Sequence, residues 1–546
     1  MTPRRLILGV LTVIVIIFSV APALINSLGK PQITNRLQLY QTNLLLHASQ
    51  IQAPEEAEED FSSIRNALLE NNPVSTALDQ YQSIRQATQQ QLETTQAQIK
   101  ELSTDGTPLP IDPSAPPSGA SQALSGQLEQ LKNQRNQQQA LLARLTVRIG
   151  LLQARQNNAD SALRTWQTFI EQAAYDGSQD SQPASESQSL PETASVLTGL
   201  WSDPPRLLPD AEPVIQQNLD GWFRYVALTR LYTLQQRPDA LEALQTKEQQ
   251  TAQQAVIKLA LVATAPAIGS LIGAGLLVFL VIQRVVQGKQ SLLADSGDLT
   301  WDTPWNWEIT WQVLIVGFFF LGQIVLPIFF GVLRSLIPAV LSAQSITLDV
   351  SSGRMTAFST LLIYIAIAAG SLLVLYLSIK PYFPLPEDWF RVKVNGKWLA
   401  WGLGGYLVAL PLVIGVSIIN QQIWQGRGGN NPLLEIVLKE GDPLALAIFF
   451  FTAAIAAPVF EEILFRGFLL PSLTRYMPIW GAIALSSFLF ASAHLSLSEI
   501  LPLMVLGSVL GFVYVRSRNL LAPMLVHSLW NSATMIGLLI LGGASG

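Results

Sequence analysis

The chain of 546 residues has no cysteine, three histidines and only 13% charged residues. Without cysteine there are no disulfides, no thiolate metal sites and no cysteine nucleophile, and the redox compartment cannot be read. The charged content is about half that of a soluble protein. The net charge of −5 comes with no basic tract, so nothing points to a nucleic-acid partner. What is abundant is apolar sequence: 49% of the residues are hydrophobic, in recurring long runs, which makes this an integral, multi-pass membrane protein.

Residues 1–29 read as an N-terminal membrane anchor. Arg4 and Arg5 precede an apolar stretch from Leu6 to about Ile25, longer than the core of a cleaved signal peptide, and place the N-terminus on the cytoplasmic side. Residues 30–255 contain no spanning run and read as an extracytoplasmic helical domain. Glu55–Asp60 is an acidic patch of the kind found on a solvated face. Leu78, Tyr81, Ile84, Leu92, Ile99 and Leu102 keep near-heptad spacing, and Leu124, Leu128, Leu131, Leu142, Leu145, Ile149 and Leu152 resume it after a Pro/Gly/Ser linker at 103–122. An antiparallel coiled-coil-like hairpin is the simplest arrangement. Gly150, Ala162 and Trp166 then have the spacing of a tetratricopeptide helix pair, and the segment from Gln235 echoes the one from Gln156. Gly177–Pro213 reads as a second linker. A helical-repeat domain of this kind would bind a protein partner.

From Val256 onward the spans fall at roughly 256–283, 312–341, 356–379, 398–419, 443–470, 478–495, 499–515 and 521–541, nine with the anchor. Residues 256–430 are accessory transmembrane helices and 440–541 form a distinct core. Arg284, Lys289, Lys380, Arg391, Lys393, Lys397, Arg475, Arg516 and Arg518 fall on one side if every span crosses. Arg334, inside the third span, snorkels or pairs within the bundle. The expected fold is all-α: a polytopic helical bundle with an extramembrane helical domain after the first span. The membrane is a bacterial plasma membrane or a thylakoid or plastid one.

Three polar constellations stand in the last four spans. Glu461, Glu462 and Arg466 interrupt an apolar run from Ile448 to Leu470. Ionisable groups at that depth are expensive and are read first as functional. Glu462 and Arg466, four apart, share a helix face and pair; Glu461 points elsewhere and has no obvious partner, which suits a general base. The bland alternative is an interfacial salt bridge with a spare glutamate. Phe490 and His494 are also four apart, so the ring can wall the imidazole. His527 and Asn531 project from one face of the last helix and make a fair oxyanion hole. Each histidine alone is often packing; three sets in consecutive spans are not a coincidence.

Two chemistries remain open. Glu461 and His494 activate a water, with His527 and Asn531 stabilising the oxyanion; or His494, His527 and Glu461 bind Zn²⁺ and lower the pKa of a bound water. Ser492 and Ser528 make poor nucleophiles, since neither sits on a sharp glycine-flanked turn and no Asp in these spans could orient a histidine.

Glu461-Glu462-x-x-x-Arg466, Phe490-x-x-x-His494 and His527-x-x-x-Asn531, in that order on successive spans, resemble the three motifs of the CAAX protease and bacteriocin-processing (CPBP, or ABI) family of intramembrane proteases, which includes the CAAX prenyl endopeptidases. The resemblance covers about residues 440–541. It implies an endopeptidase acting on a membrane-associated peptide or protein. The roles implied are water activation for Glu461 and His494, an oxyanion hole for His527 and Asn531, and support from Glu462 and Arg466. Family members are also labelled metalloproteases, so the zinc alternative stays open. The competing class is a non-catalytic membrane scaffold or immunity protein that displays the helical domain; a proton-relay transporter finds no matching broken helix or buried charge in the first half of the membrane region. One tension arises from the spans. Glu461 lies roughly 13 Å from the end of its helix, about as deep as His527, while His494 comes out roughly 9 Å deeper.

Overall fold

The structure is a computed structural model; it describes residues 2–28, 32, 34–51, 72–104, 119–176, 185–294, 300–333 and 353–542. The acidic patch at 55–60, most of the 103–122 linker and Arg334 lie outside the described residues. All regular structure among those described is helical, and the chain divides into two compact units, residues 34–261 and residues 1–33 with 262–543.

In the first unit, α2 (Thr34–Ala48), α3 (Pro73–Thr104), α4 (Gly119–Arg155), α5 (Ala159–Asp176), α6 (Ser185–Trp201), α7 (Ala211–Asn218), α8 (Gly221–Leu234) and the start of α9 (Pro238–Gln290) surround one core. The heptad-like positions supply it: Tyr81, Ile84, Leu145, Ile149 and Leu152 are buried where α3 packs along α4. Trp166 lies over Gly150, where any Cβ would run into the indole, and its Nε1 donates to the Val147 carbonyl at 3.1 Å. Trp166→Phe keeps most of that packing but removes the indole hydrogen bond to a buried helix carbonyl. We expect it to lower stability by about 1–2 kcal/mol, read from denaturant unfolding of the full-length chain.

The sequence echo between Gln156 and Gln235 is a shared turn. Asn157 and Gln236 adopt left-handed φ of 61° and 56°. The next amide in each case reaches back five residues, Asn158 to Gln153 and Arg237 to Tyr232, at 3.1 and 3.0 Å. That is the Schellman ending of a helix, made twice. The expected linker 177–213 is corrected: α6 lies within it and α7 begins in it. Leu190, Ala194, Leu197 and Leu200 recur at helical spacing on a buried face, and this burial outweighs Pro191 inside α6.

His47 Nδ1 and Glu248 Oε1 form a buried pair at 2.7 Å between α2 and α9. On the surface, the Tyr232 hydroxyl and Arg237 hold the Glu212 carboxyl below its ordinary range. A carboxyl lowered on folding adds stability above its unfolded pKa and loses it as pH falls through the folded value. Glu212→Gln should therefore destabilise the chain at neutral pH, with the difference from the parent vanishing in acid, as thermal unfolding across pH would show.

Among the described residues eight helices are long and apolar enough to cross a membrane: α1 (Pro3–Leu28), α9, α10 (Trp307–Leu333), α11 (Gly353–Tyr382), α12 (Trp398–Trp424), α14 (Pro443–Leu473), α16 (Leu497–Ser517) and α17 (Leu521–Gly542). The outward faces of α1, α9 and α10 present Leu6, Phe18, Leu271, Phe279 and Ile328, apolar surface that suits lipid rather than water. A short helix, α13 (Pro432–Lys439), precedes α14. The ninth expected span is corrected. Helix α15 (Ile479–Ser492) has 14 residues and rises about 21 Å, short of a hydrocarbon core of about 30 Å. This eases the depth conflict. Helix α14 runs on to Leu473, so Glu461 stands roughly 18 Å from that end. His494, in the turn just past α15, stands roughly 22 Å from Ile479.

Two features hold α14 in register. Trp305 Nε1 donates to Ser472 Oγ at 2.9 Å and its ring packs on Phe468, while Arg475 donates to the carbonyls of Thr303 and Trp305. Near the other end, Asp442 caps the helix through the amides of Leu444 and Ala445.

Candidate functional site

The site begins with a proline. Pro458 has no N–H to return to the preceding turn of α14, and that turn, Thr452–Ala456, winds as a π-helix. The carbonyls of Ala453 and Ala454 are taken up from α17 instead: Asn531 Nδ2 donates to Ala453 at 2.7 Å and Ser528 Oγ to Ala454 at 2.6 Å. The helix defect therefore becomes the seam that docks α17. Glu461 and Glu462 follow on a short α-helical stretch, and a second π-helical segment, Ile463–Leu469, carries Arg466.

Glu462 and Arg466 are fully buried. Glu462 Oε1 accepts from Arg466 Nη1 at 2.9 Å and from His527 Nδ1 at 2.8 Å. Arg466 Nη2 donates to the Gly507 carbonyl on α16 at 3.2 Å, and its guanidinium lies 4.4 Å from the centroid of the Phe490 ring. Glu462 thus joins α14 to α17 and sets the His527 tautomer, because a carboxylate accepts and Nδ1 must carry the proton. Spacing exposes the pairing with Arg466; nothing local signals the one with His527.

Glu461 points away from that pair. Its Oε1 accepts from the Tyr364 hydroxyl on α11 at 3.0 Å, and its Oε2 is buried without a hydrogen-bond partner, 3.9 Å from His527 Nε2. Phe490 lies between the two imidazoles, edge-on to His494 at 5.1 Å and to His527 at 5.7 Å. His494 Nδ1 donates to the Phe490 carbonyl at 3.0 Å, which leaves Nε2 as its accepting nitrogen. Glu461 and His527 are brought together. No hydrogen bond or ion pair among the described residues joins Glu461 to His494 or to Asn531.

Sequence reasoning missed two residues here. Tyr364 is a single hydroxyl in an apolar helix. Glu499, whose Oε1 accepts from the Asn431 amide at 2.8 Å, lies within electrostatic reach of His494. A carboxylate five residues past an intramembrane histidine was the available signal for the second; the first had none.

Catalytic zinc needs three protein ligands and an open position. Among the described residues no three His, Cys, Asp or Glu side chains gather to hold a metal. Glu461 Oε2 and His527 Nε2 stand 3.9 Å apart, while no contact among the described residues brings His494 Nε2 to them. As arranged here, the third ligand of a catalytic zinc is not gathered with the other two.

The fold and site together describe a polytopic membrane helical bundle with a buried Glu–Arg–His network behind a second glutamate. At family level, residues 443–533 match the family described as Rce1-like, Type II CAAX prenyl endopeptidase Rce1-like. The chain is similar to the membrane-embedded CAAX protease MroQ of Staphylococcus aureus (strain USA300), 28% identical over 32% of this chain and 71% of that protein. It is also similar to the putative membrane peptidase YdiL of Bacillus subtilis (strain 168), 25% identical over 26% of this chain and 57% of that one, little more than half of YdiL's length. No solved structure matches.

Proposed function

We propose that this chain is an intramembrane endopeptidase that hydrolyses a peptide bond of a membrane-associated substrate with a water activated by Glu461. The observation that carries the reading is the free, buried Oε2 of Glu461 facing His527, inside the segment that matches the endopeptidase family. Glu461 Oε2 takes a proton from the water while His494 Nε2 holds it, and the hydroxide attacks the scissile carbonyl. The oxyanion is met by the second N–H of Asn531 and by His527. With Nδ1–H on Glu462, His527 donates from Nε2 only as the imidazolium; Glu461, Glu462, Arg466 and that imidazolium together carry no net charge. Glu461 then returns its proton to the leaving amine.

The helical unit resembles tetratricopeptide pairs in its small–small–aromatic packing and twin turns, and in this reading it binds a protein segment, either of the substrate or of a partner. The mechanism uses no metal. Purified chain stripped with a strong chelator is expected to keep its cleavage of membrane proteins; stoichiometric zinc lost together with activity would overturn the metal-free step.

A further inference from the structure

We propose that Tyr364 is a positioning residue for Glu461: α11, outside the segment 443–533 that carries the family match, supplies the phenol that decides which carboxylate oxygen is free to work. The proposal rests on reading Glu461 as the general base. A glutamate carboxylate turns easily about its last torsion, so its two oxygens are interchangeable unless something distinguishes them. Here something does. The Tyr364 hydroxyl donates to Oε1 at 3.0 Å, while Oε2, buried and without a hydrogen bond, faces His527 Nε2.

The phenol is itself fixed. Its ring meets Phe460 edge-on at 6.1 Å, and Phe460 lies against Phe318 of α10. The rotation of α11 is set by its seam with α10. Ser371 Oγ donates to the Gly317 carbonyl at 2.8 Å, and Gly317 lets Val374 approach closely. An accessory helix is therefore locked so that one hydroxyl reaches the glutamate of a neighbouring helix. A partly buried tyrosine in an apolar helix needs some partner for its hydroxyl. A carbonyl on its own helix would satisfy that need; the phenol instead reaches the Glu461 carboxylate, and of the two neighbouring glutamates with an unpartnered oxygen, Glu461 and Glu462, it is Glu461 whose free Oε2 faces His527 Nε2.

The test uses the full-length chain in lipid nanodiscs as three proteins: the parent, Glu461→Gln and Tyr364→Phe. Subtracting the Glu461→Gln infrared spectrum from the parent's isolates the Glu461 carboxyl band, with no substrate required. The band is expected to be displaced and broadened in Tyr364→Phe. With the membrane protein recovered on Glu461→Gln added back, kcat is expected to fall about 10- to 100-fold with KM and thermal midpoint unchanged. A band that coincides with the parent's overturns the proposal, as does a rise in KM at unchanged kcat. Cleavage that survives Glu461→Gln sinks the general-base reading instead, and does so whatever Tyr364→Phe shows.

Discussion

Glu461→Gln is expected to lower cleavage about 10²- to 10⁴-fold and leave the bundle folded. The substitution is nearly isosteric. The amide oxygen still accepts from Tyr364, so the contact with α11 survives. What disappears is the basic oxygen facing His527; an NH₂ group there cannot take a proton from water. Arg466 and His527 both keep Glu462 as a partner, so no buried cation is stranded. The folded state is checked by the thermal midpoint in detergent, and the rate by the appearance of new peptide termini from a membrane fraction. Undiminished cleavage would place the chemistry elsewhere or leave the chain without any, as a scaffold or immunity protein requires.

Arg466→Met is expected to cost about 3–5 kcal/mol of stability, the usual penalty for breaking a buried pair from one side. The arginine side chain is 1% exposed and its partner 0%. Its removal leaves Glu462 charged in an apolar core, with His527 as its single remaining donor, and frees the Gly507 carbonyl and one face of Phe490. Activity should fall as well, because Glu462 orients His527. Replacing both members of the pair, Glu462→Leu with Arg466→Met, should recover much of the stability without restoring activity. That outcome separates a folding role from a positioning one. The more exposed pair Arg354–Asp442, 2.8 Å long against 2.9 Å, provides the contrast: Arg354→Met should change stability by no more than about 1 kcal/mol. Thermal or denaturant unfolding of the three variants beside the parent gives the comparison.

The parts of this arrangement that sequence made visible are those governed by local geometry. Four-residue spacing on a helix put Glu462 beside Arg466 and Phe490 beside His494, and both contacts are present. Apolar runs located the membrane helices because a span needs length and little else. The failures come from contacts between distant segments. His527 meets Glu462 across 65 positions and Tyr364 meets Glu461 across 97, and neither has a periodicity to read. Asn531 and Ser528 donate to the Ala453 and Ala454 carbonyls, left open in the turn before Pro458, a consequence visible only once α14 and α17 lie together. Helix α15 was taken for a full span because its apolar character continues through the turn that holds His494, whereas the helix itself ends at Ser492. In the first unit, polar composition and Pro191 concealed α6, whose buried face needs only a few well-spaced apolar residues.

The proposed chemistry depends on one carboxylate oxygen, and trapping tests it most directly. Membranes expressing the Glu461→Gln chain are crosslinked, the chain is recovered, and the co-purifying proteins are identified by mass spectrometry beside those from the parent chain. The expected result is a membrane protein held full-length by Glu461→Gln and recovered from parent membranes as two fragments with a single new pair of termini. The same fragments in equal amount from both membranes would contradict it.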